Sequence, residues 1–238
     1  TDGRNLAVRA AEAVFRHCGL SGGVRIELKK QIPAEAGLGG GSADAAAVLR
    51  GLRALFSLPL GDEALRELAL PLGADVPFCV GGGTMLAEGI GEVLSPLPPM
   101  PPCHLVIVKP PCGSSTKAVY AALSLKALRP WEQPDARLLE NALRGQNVTL
   151  LGASLQNALE KPATELQPVL LDYRQFLTES GAAGAAMSGS GSAFFAVFPE
   201  AERDKAEQCI ATGKKQFPAA AFFLCRPVSA EEVSASTI

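Results

Sequence analysis

The chain has 238 residues, 47% of them hydrophobic and 19% charged, with a net charge of −2; these values describe a compact globular protein and not a disordered one. The near-neutral balance supplies no field to gather nucleic acid or an acidic membrane surface, and no uninterrupted apolar run reaches the roughly 20 residues of a membrane span. Six cysteines without a CxxC pair and only two histidines argue against a Cys/His metal centre and for free thiols in the cytoplasm.

Taken in chain order, Leu6, Ala10, Val14 and Phe15 recur at helical spacing and stop at Cys18-Gly19, where glycine can end a helix. Val24, Ile26 and Leu28 alternate with Arg25, Glu27 and Lys29, which predicts a strand with one buried face. This strand runs into a loop with four glycines, Gly37, Gly39, Gly40 and Gly41. Behind the loop, Ala45, Val48, Leu49, Leu52, Leu55 and Phe56 form one apolar stripe of a long helix. Asp62 is expected to cap a second helix bearing Leu65, Leu68 and Ala69 inward. Next come a turn carrying Asp75 within Leu72–Phe78 and a short strand at Thr84–Ala87. Ser95–Pro102 contains five prolines and no charge, a stiff connector and the expected boundary between a domain at 1–97 and one at 98–238.

The second half predicts a buried strand at His104–Val108 and a helix from the Pro110–Thr116 loop to about Leu128. Further helices are predicted at Ala136–Leu143, Leu155–Glu160 and Leu166–Leu177. A second glycine-rich stretch, Gly181–Ser192, leads into Phe194, Ala196 and Phe198, as for two strands meeting at a tight turn. A charged helix at Glu200–Ile210 and a strand at Ala219–Leu224 complete an α+β arrangement.

A strand, a glycine loop and a helix N-terminus together form a cradle for phosphate, because unpaired N–H groups and the positive dipole end meet there. The loop is not a P-loop, since Ser42-Ala43 follow Gly41 where Lys-Ser/Thr is needed. It is not a dinucleotide fingerprint either, since Ser42 or Asp44 falls at the third glycine. Ser42 reads equally as a helix N-cap and as a ligand to phosphate-bound Mg²⁺. Asp44 is expected to point outward, because a carboxylate aimed inward would repel phosphate. Asp75 reads as a turn residue, Ser188–Ser192 as a tight hairpin and Tyr120 as core. The residues alone thus give a nucleotide or phosphate site and no reaction.

Three stretches resemble one family. PAEAGLGGGSADAAA, Pro33–Ala47, is similar to the second motif of the kinase superfamily of galactokinase, homoserine kinase, mevalonate kinase and phosphomevalonate kinase, and Gly181–Ser192 resembles its third. GADVPF at Gly73–Phe78 and AEGIGE at Ala87–Glu92 look like the branch that phosphorylates a cytidine-diphosphate sugar alcohol in the non-mevalonate isoprenoid route.

The resemblance implies a two-domain α+β kinase. Its N-terminal domain would be ribosomal-protein-S5-like and incomplete at its start, and an α+β domain would follow. It implies ATP and Mg²⁺ as cofactors and phosphoryl transfer to the 2-hydroxyl of that small-molecule substrate. Asp75 would be the catalytic carboxylate. ATP would lie on Asn5, Lys30, Pro33, Ala34, Glu35, Ala36, Gly37, Leu38, Gly39, Gly40, Gly41, Ser42 and Ala43, with Ser42 near the metal. Tyr120 would stack on cytosine, and Ser188, Gly189, Ser190 and Gly191 would close on the substrate. No nucleic acid or membrane partner is implied, and a monomer or weak homodimer is expected.

Two departures accompany the resemblance: Ala43 stands where the family has a second serine, and Glu35 lies close to the phosphate loop. The family also carries, ahead of the position of Thr1, a strand whose lysine partners the catalytic aspartate and a P-D-G-Y-H-like stretch. No lysine in this sequence takes that role, and without the strand the first sheet is expected to bare an edge. The chain is therefore expected to be either a fragment or processed form of a working kinase or a nucleotide-binding module without phosphoryl transfer, and weak or no ADP formation is the expectation for the chain as given.

Overall fold

The computed structural model describes residues 3, 5–124 and 134–235. The chain divides into two compact units: residues 1–32, 39–97 and 228–238 form one, and residues 33–38 and 98–227 the other. The glycine loop changes unit between Leu38 and Gly39, and the C-terminal segment returns to the first unit.

The first unit is mostly helical. Helix α1, Leu6–Cys18, starts at Asn5, whose Oδ1 accepts from the Ala7 N–H (2.9 Å), and ends at Gly19 in the left-handed conformation, whose N–H bonds the Phe15 carbonyl. It packs on α2, Gly40–Leu55. Ala10, Ala11 and Val14 meet Ala45, Ala46 and Leu49 in one buried cluster. Alanines let the two backbones approach, and full burial of Val14 and Leu49 contributes about 2 kcal/mol each. Helix α3, Asp62–Ala69, begins one residue after Gly61 and has no capping side chain. Asp62 is therefore not the cap that the sequence suggests; it is the first helical residue and pairs with Arg53 (2.6 Å). Asp75 precedes α4, Val76–Gly81, a short helix in place of the expected turn. A hairpin follows, β1 (Met85–Glu88) against β2 (Val93–Pro96), which takes the first part of the Pro-rich connector into a strand. The terminal helix α11, Ala230–Ala235, lies against α4.

The expected strand at Val24–Leu28 is absent. Val24 and Ile26 are half-buried against the helical cluster while Arg25 and Glu27 are exposed, so the alternation is real. Among the described residues, however, no neighbouring backbone pairs with this stretch. Alternation dictates which side chains turn inward, whereas a strand also requires a ladder partner.

The second unit is built on an antiparallel sheet in the order β4-β5-β3-β6. Its strands are β3 (Cys103–Lys109), β4 (Gly184–Met187), β5 (Phe194–Pro199) and β6 (Ala221–Cys225). Val106 pairs with Ala196 on one side and Leu224 on the other, and Met187 faces Phe194 across the hairpin. Helices α9 (Leu170–Glu179) and α10 (Arg203–Gln216) cover the sheet, enclosing Val106, Phe194, Phe198, Leu170 and Leu177.

The remaining helices are α5 (Thr116–Ala122), α6 (Ala136–Arg144), α7 (Val148–Ala153) and α8 (Glu160–Leu166). The expected end of α5 near Leu128 lies outside the described residues. Helix α7 was not expected, because Val148, Thr149 and Gly152 are poor helix formers; Asn147 caps it by accepting from the Leu150 N–H (2.9 Å). The helix expected at Leu155–Glu160 does not form. Asn157 there bonds distant main chain instead, and α8 starts only at Glu160. The helix expected at Leu166–Leu177 starts only at Leu170, as α9, because Pro168 follows the end of α8 at Leu166.

Candidate functional site

The first unit presents the start of α2 as an open helix N-terminus. Gly39 stands before it at φ +63°, and no side chain caps it. The Ala43 N–H reaches the Gly39 carbonyl (2.9 Å), while the amides of Gly40, Gly41 and Ser42 have no hydrogen-bond partner among the described residues. Ser42 is thus in the first turn and is not the N-cap, and its hydroxyl also lacks a protein partner among those residues. Gly40 passes so close to Ile32 that a Cβ would lie 2.9 Å from its Cγ2. The Lys30 ammonium pairs with the Asp44 carboxylate and lies 3.5 Å from the Gly40 carbonyl. Pairing removes the repulsion that an isolated Asp44 would exert on an anion at this helix end.

Beside this N-terminus is an open cleft of about 870 Å³ that includes Asn5, Lys30, Gly41 and Asp44. Val24 and Ile26, the two half-buried positions of the unpaired stretch, contribute its apolar wall. Three residues assigned to ATP by resemblance thus share one cavity. Asn5 commits its Oδ1 to the α1 cap, and its amide N–H₂ has no partner among the described residues.

The earlier part of the loop, Pro33–Leu38, belongs to the second unit and lies against the Ser188–Ala193 turn. The Ala193 N–H donates to the Ala36 carbonyl (3.0 Å), the Ser188 hydroxyl to the Gly37 carbonyl (2.9 Å), and the Ser114 N–H to the Glu35 carbonyl (3.3 Å). Gly37 has φ +71°, and a Cβ there would overlap the Ser188 carbonyl oxygen. The turn's hydroxyls are consequently engaged within the protein. Ser190 Oγ pairs with Thr116 Oγ1 (2.8 Å), and fully buried Ser192 donates to the Cys112 carbonyl (2.5 Å). The Ser190 carbonyl accepts from Ser114 Oγ (2.7 Å), and the Gly191 N–H closes on the Ser188 carbonyl (2.8 Å).

Asp75 is exposed, with no side-chain hydrogen bond or ion pair among the described residues. One turn further on, burial pushes the Cys79 thiol up to about 11, with the Asp75 charge adding and Arg50 opposing. It stays protonated near neutrality and offers no competing nucleophile. Arg50 holds the end of α4 through the Cys79 (2.6 Å) and Val80 (3.2 Å) carbonyls. Tyr120 is not core: it lies on α5 and is 59% exposed, a ring face available for stacking.

Several residues that the sequence did not single out hold this region. The nearly buried Lys109 bonds the Pro110 (2.7 Å) and Cys112 (2.8 Å) carbonyls, and Asn157 and Glu160 bond the main chain around the glycine turn. Local periodicity carries no signal for Asn157 and Glu160, because their partners are 27 to 32 residues away in sequence. All six cysteines are free. Among the described residues, no group of three or more His, Cys, Asp or Glu side chains could hold a metal, and no helix is long and apolar enough to cross a membrane.

Residues 5–83 match the GHMP kinases N terminal domain, and residues 134–217 match GHMP kinases C terminal. The chain is 45% identical over 196 residues to the 4-diphosphocytidyl-2-C-methyl-D-erythritol kinase of Exiguobacterium sibiricum, covering 82% of this chain and 68% of that protein. It is 40% identical over 216 residues to the enzyme of the same name from Clostridium tetani, covering 91% and 76%. A crystal structure of 4-(cytidine 5'-diphospho)-2C-methyl-D-erythritol kinase superposes with a TM-score of 0.76 at 39% identity, over 95% of this chain and 80% of that one. The homoserine kinase of Cytophaga hutchinsonii shares the fold at 23% identity, with a TM-score of 0.80 over 95% and 76% of the two chains.

Proposed function

The chain belongs to the GHMP kinase family, and from that premise we propose that it transfers the γ-phosphoryl group of ATP to the 2-hydroxyl of 4-diphosphocytidyl-2-C-methyl-D-erythritol. The observation that carries this reading is the uncapped start of α2, whose Gly40, Gly41 and Ser42 amides are left unpaired beside the Lys30-bearing cleft. Such an end receives phosphate oxygens. The substrate comes from relatives up to 45% identical that carry its name.

In this reading the alcohol oxygen attacks the γ-phosphorus, the bond to the β–γ bridging oxygen breaks, and ADP leaves. The exposed, unpaired Asp75 carboxylate takes the alcohol proton. Asn5 and Lys30 border the adenine side, the Pro33–Ala43 loop follows the phosphates, and Tyr120 stacks on cytosine. Ser188, Gly189, Ser190 and Gly191 act on the substrate side through the shape of their main chain, since the serine hydroxyls are already engaged.

The donor set fits Mg²⁺ carried in by the nucleotide. The partnerless Ser42 hydroxyl would be one oxygen ligand, with phosphate oxygens and water supplying the others, as Mg²⁺ prefers. When bound, the ion supplies charge neutralisation for the phosphates. The enzyme would work in the cytoplasm as a monomer or weak dimer, without nucleic acid or membrane.

The test is ADP formation by the purified protein with ATP, Mg²⁺ and the cytidine substrate. ADP formation that falls about 100-fold or more with Asp75→Asn is expected. Turnover that ignores Asp75→Asn would remove this role. ATP binding without ADP formation would instead mark a nucleotide-binding module.

A further inference from the structure

We propose that Asn157 and Glu160 are positioning residues that hold the Ser188–Ala193 turn, and through it the Pro33–Leu38 segment, in the conformation nucleotide binding uses. The proposal rests on the ATP reading above for its kinetic consequence, and on geometry alone for its structural part.

The geometry is a clamp on both sides of one peptide turn. Asn157 donates from Nδ2 to the Met187 carbonyl (2.8 Å) and to the Gly189 carbonyl (2.8 Å), and its own Oδ1 is fixed by the Leu159 N–H (2.8 Å). Glu160 accepts the Met187 N–H on Oε2 (2.9 Å), while its Oε1 is held by Arg174 Nε (2.7 Å) from α9. Both polar groups of the Met187 peptide neighbourhood, where β4 ends and the turn begins, are thus anchored to side chains of one short stretch. A carboxylate on an N–H is a charge-assisted bond, and Arg174 leaves Glu160 little freedom to rotate away.

Beyond the clamp, the turn passes its position on. The Ser188 hydroxyl holds the Gly37 carbonyl and the Ala193 N–H holds the Ala36 carbonyl. Neither Asn157 nor Glu160 is placed to touch a nucleotide in this scheme; each acts through the turn. This arrangement also accounts for the missing helix at Leu155–Glu160. A helical Asn157 would direct its amide along the helix surface and lose both carbonyls.

The test uses Asn157→Asp, which preserves size and removes both N–H donors, and Glu160→Ala. Hydrogen exchange without any ligand is expected to rise at residues 188–193 and 33–38 together in each variant, with the β3–β5 core unchanged. Isothermal titration with a non-hydrolysable ATP analogue and Mg²⁺ is expected to show affinity about 10-fold weaker, with KM for ATP rising correspondingly and KM for the cytidine substrate, whose side of the site the same turn shapes, rising as well. Leu177→Ala, a core truncation on α9, should lower the melting temperature while leaving KM for ATP unaltered, which separates positioning from general loss of stability. If Asn157→Asp does not fold, Arg174→Ala, which removes the outer link and an exposed bond to Thr178, carries the same exchange measurement. Unchanged exchange at either segment, or unchanged analogue affinity beside raised exchange, overturns the proposal. A parent protein that binds no ATP analogue at all would sink the kinase reading, and the exchange result would still decide the clamp.

Discussion

The two glycine-rich turns use the same residue type in opposite ways. At Gly39–Ser42 the amides of three successive residues have no acceptor among the described residues, the cap position has no side chain to satisfy them, and Lys30 pairs with the nearby Asp44 carboxylate. At Ser188–Ser192 three hydroxyls and the Gly189 and Ser190 carbonyls all find partners inside the protein, and Ser192 is fully buried. Glycine content does not distinguish a turn with open donors from one that is packed. The distinction lies in which donors remain unmatched after the fold is complete.

Substitutions that fill or unpair each turn separate the two uses. The largest effect is expected at Gly37→Ala. A residue with a Cβ is strained at φ +71°, and here the added carbon would overlap the Ser188 carbonyl, so the Pro33–Leu38 segment must shift. A loss of about 3 kcal/mol or more in urea unfolding is expected. A loss below about 1 kcal/mol would show that the segment is not locked to the turn. Ser192→Ala is next: it removes a buried donor from the Cys112 carbonyl, which retains its bond from Lys109, for a cost of about 1 to 2 kcal/mol. Nucleotide affinity should fall no more than that destabilisation explains.

The legible part of this molecule is the part determined by nearby residues. Apolar spacing located α1, α2, β3 and the β4–β5 hairpin, because their buried faces repeat with the period of the element itself. The Pro33–Ala47 glycines pointed to the uncapped start of α2 because the following helix is written directly behind them. Val24–Leu28 misled for a physical reason: alternation records burial, and pairing depends on a neighbour the stretch does not have among the described residues. Asn157 was hidden in an apolar pattern that reads as helix, since its bonding partners lie 30 and 32 residues away. Tyr120 shows the limit of a general rule. Aromatic residues on amphipathic helices are commonly core, yet this one sits on the solvent side of α5.

Gly39→Ala sharpens the comparison from the other side. Its φ of +63° is as demanding as that of Gly37, but no atom lies within 4 Å of the added carbon. Only backbone strain remains, for about 1 kcal/mol, and a larger loss in the same urea experiment would mean that open space at this turn is occupied in the folded protein.

The smallest effect on stability, and the most informative one, is expected at Ser42→Ala. Ser42 neither caps α2 nor bonds any described residue, and alanine is the better helix former, so stability should stay within about 0.5 kcal/mol of the parent. Its hydroxyl matters in this scheme only when a metal–nucleotide complex is present. Affinity for an ATP analogue should therefore fall about 10-fold with Mg²⁺ and be unchanged when the ion is chelated, a difference that titration in the two buffers reads directly. Equal loss in both buffers would place the hydroxyl on a phosphate oxygen instead of the metal, and no loss in either would leave the three backbone amides as the whole of the contact at this end of α2.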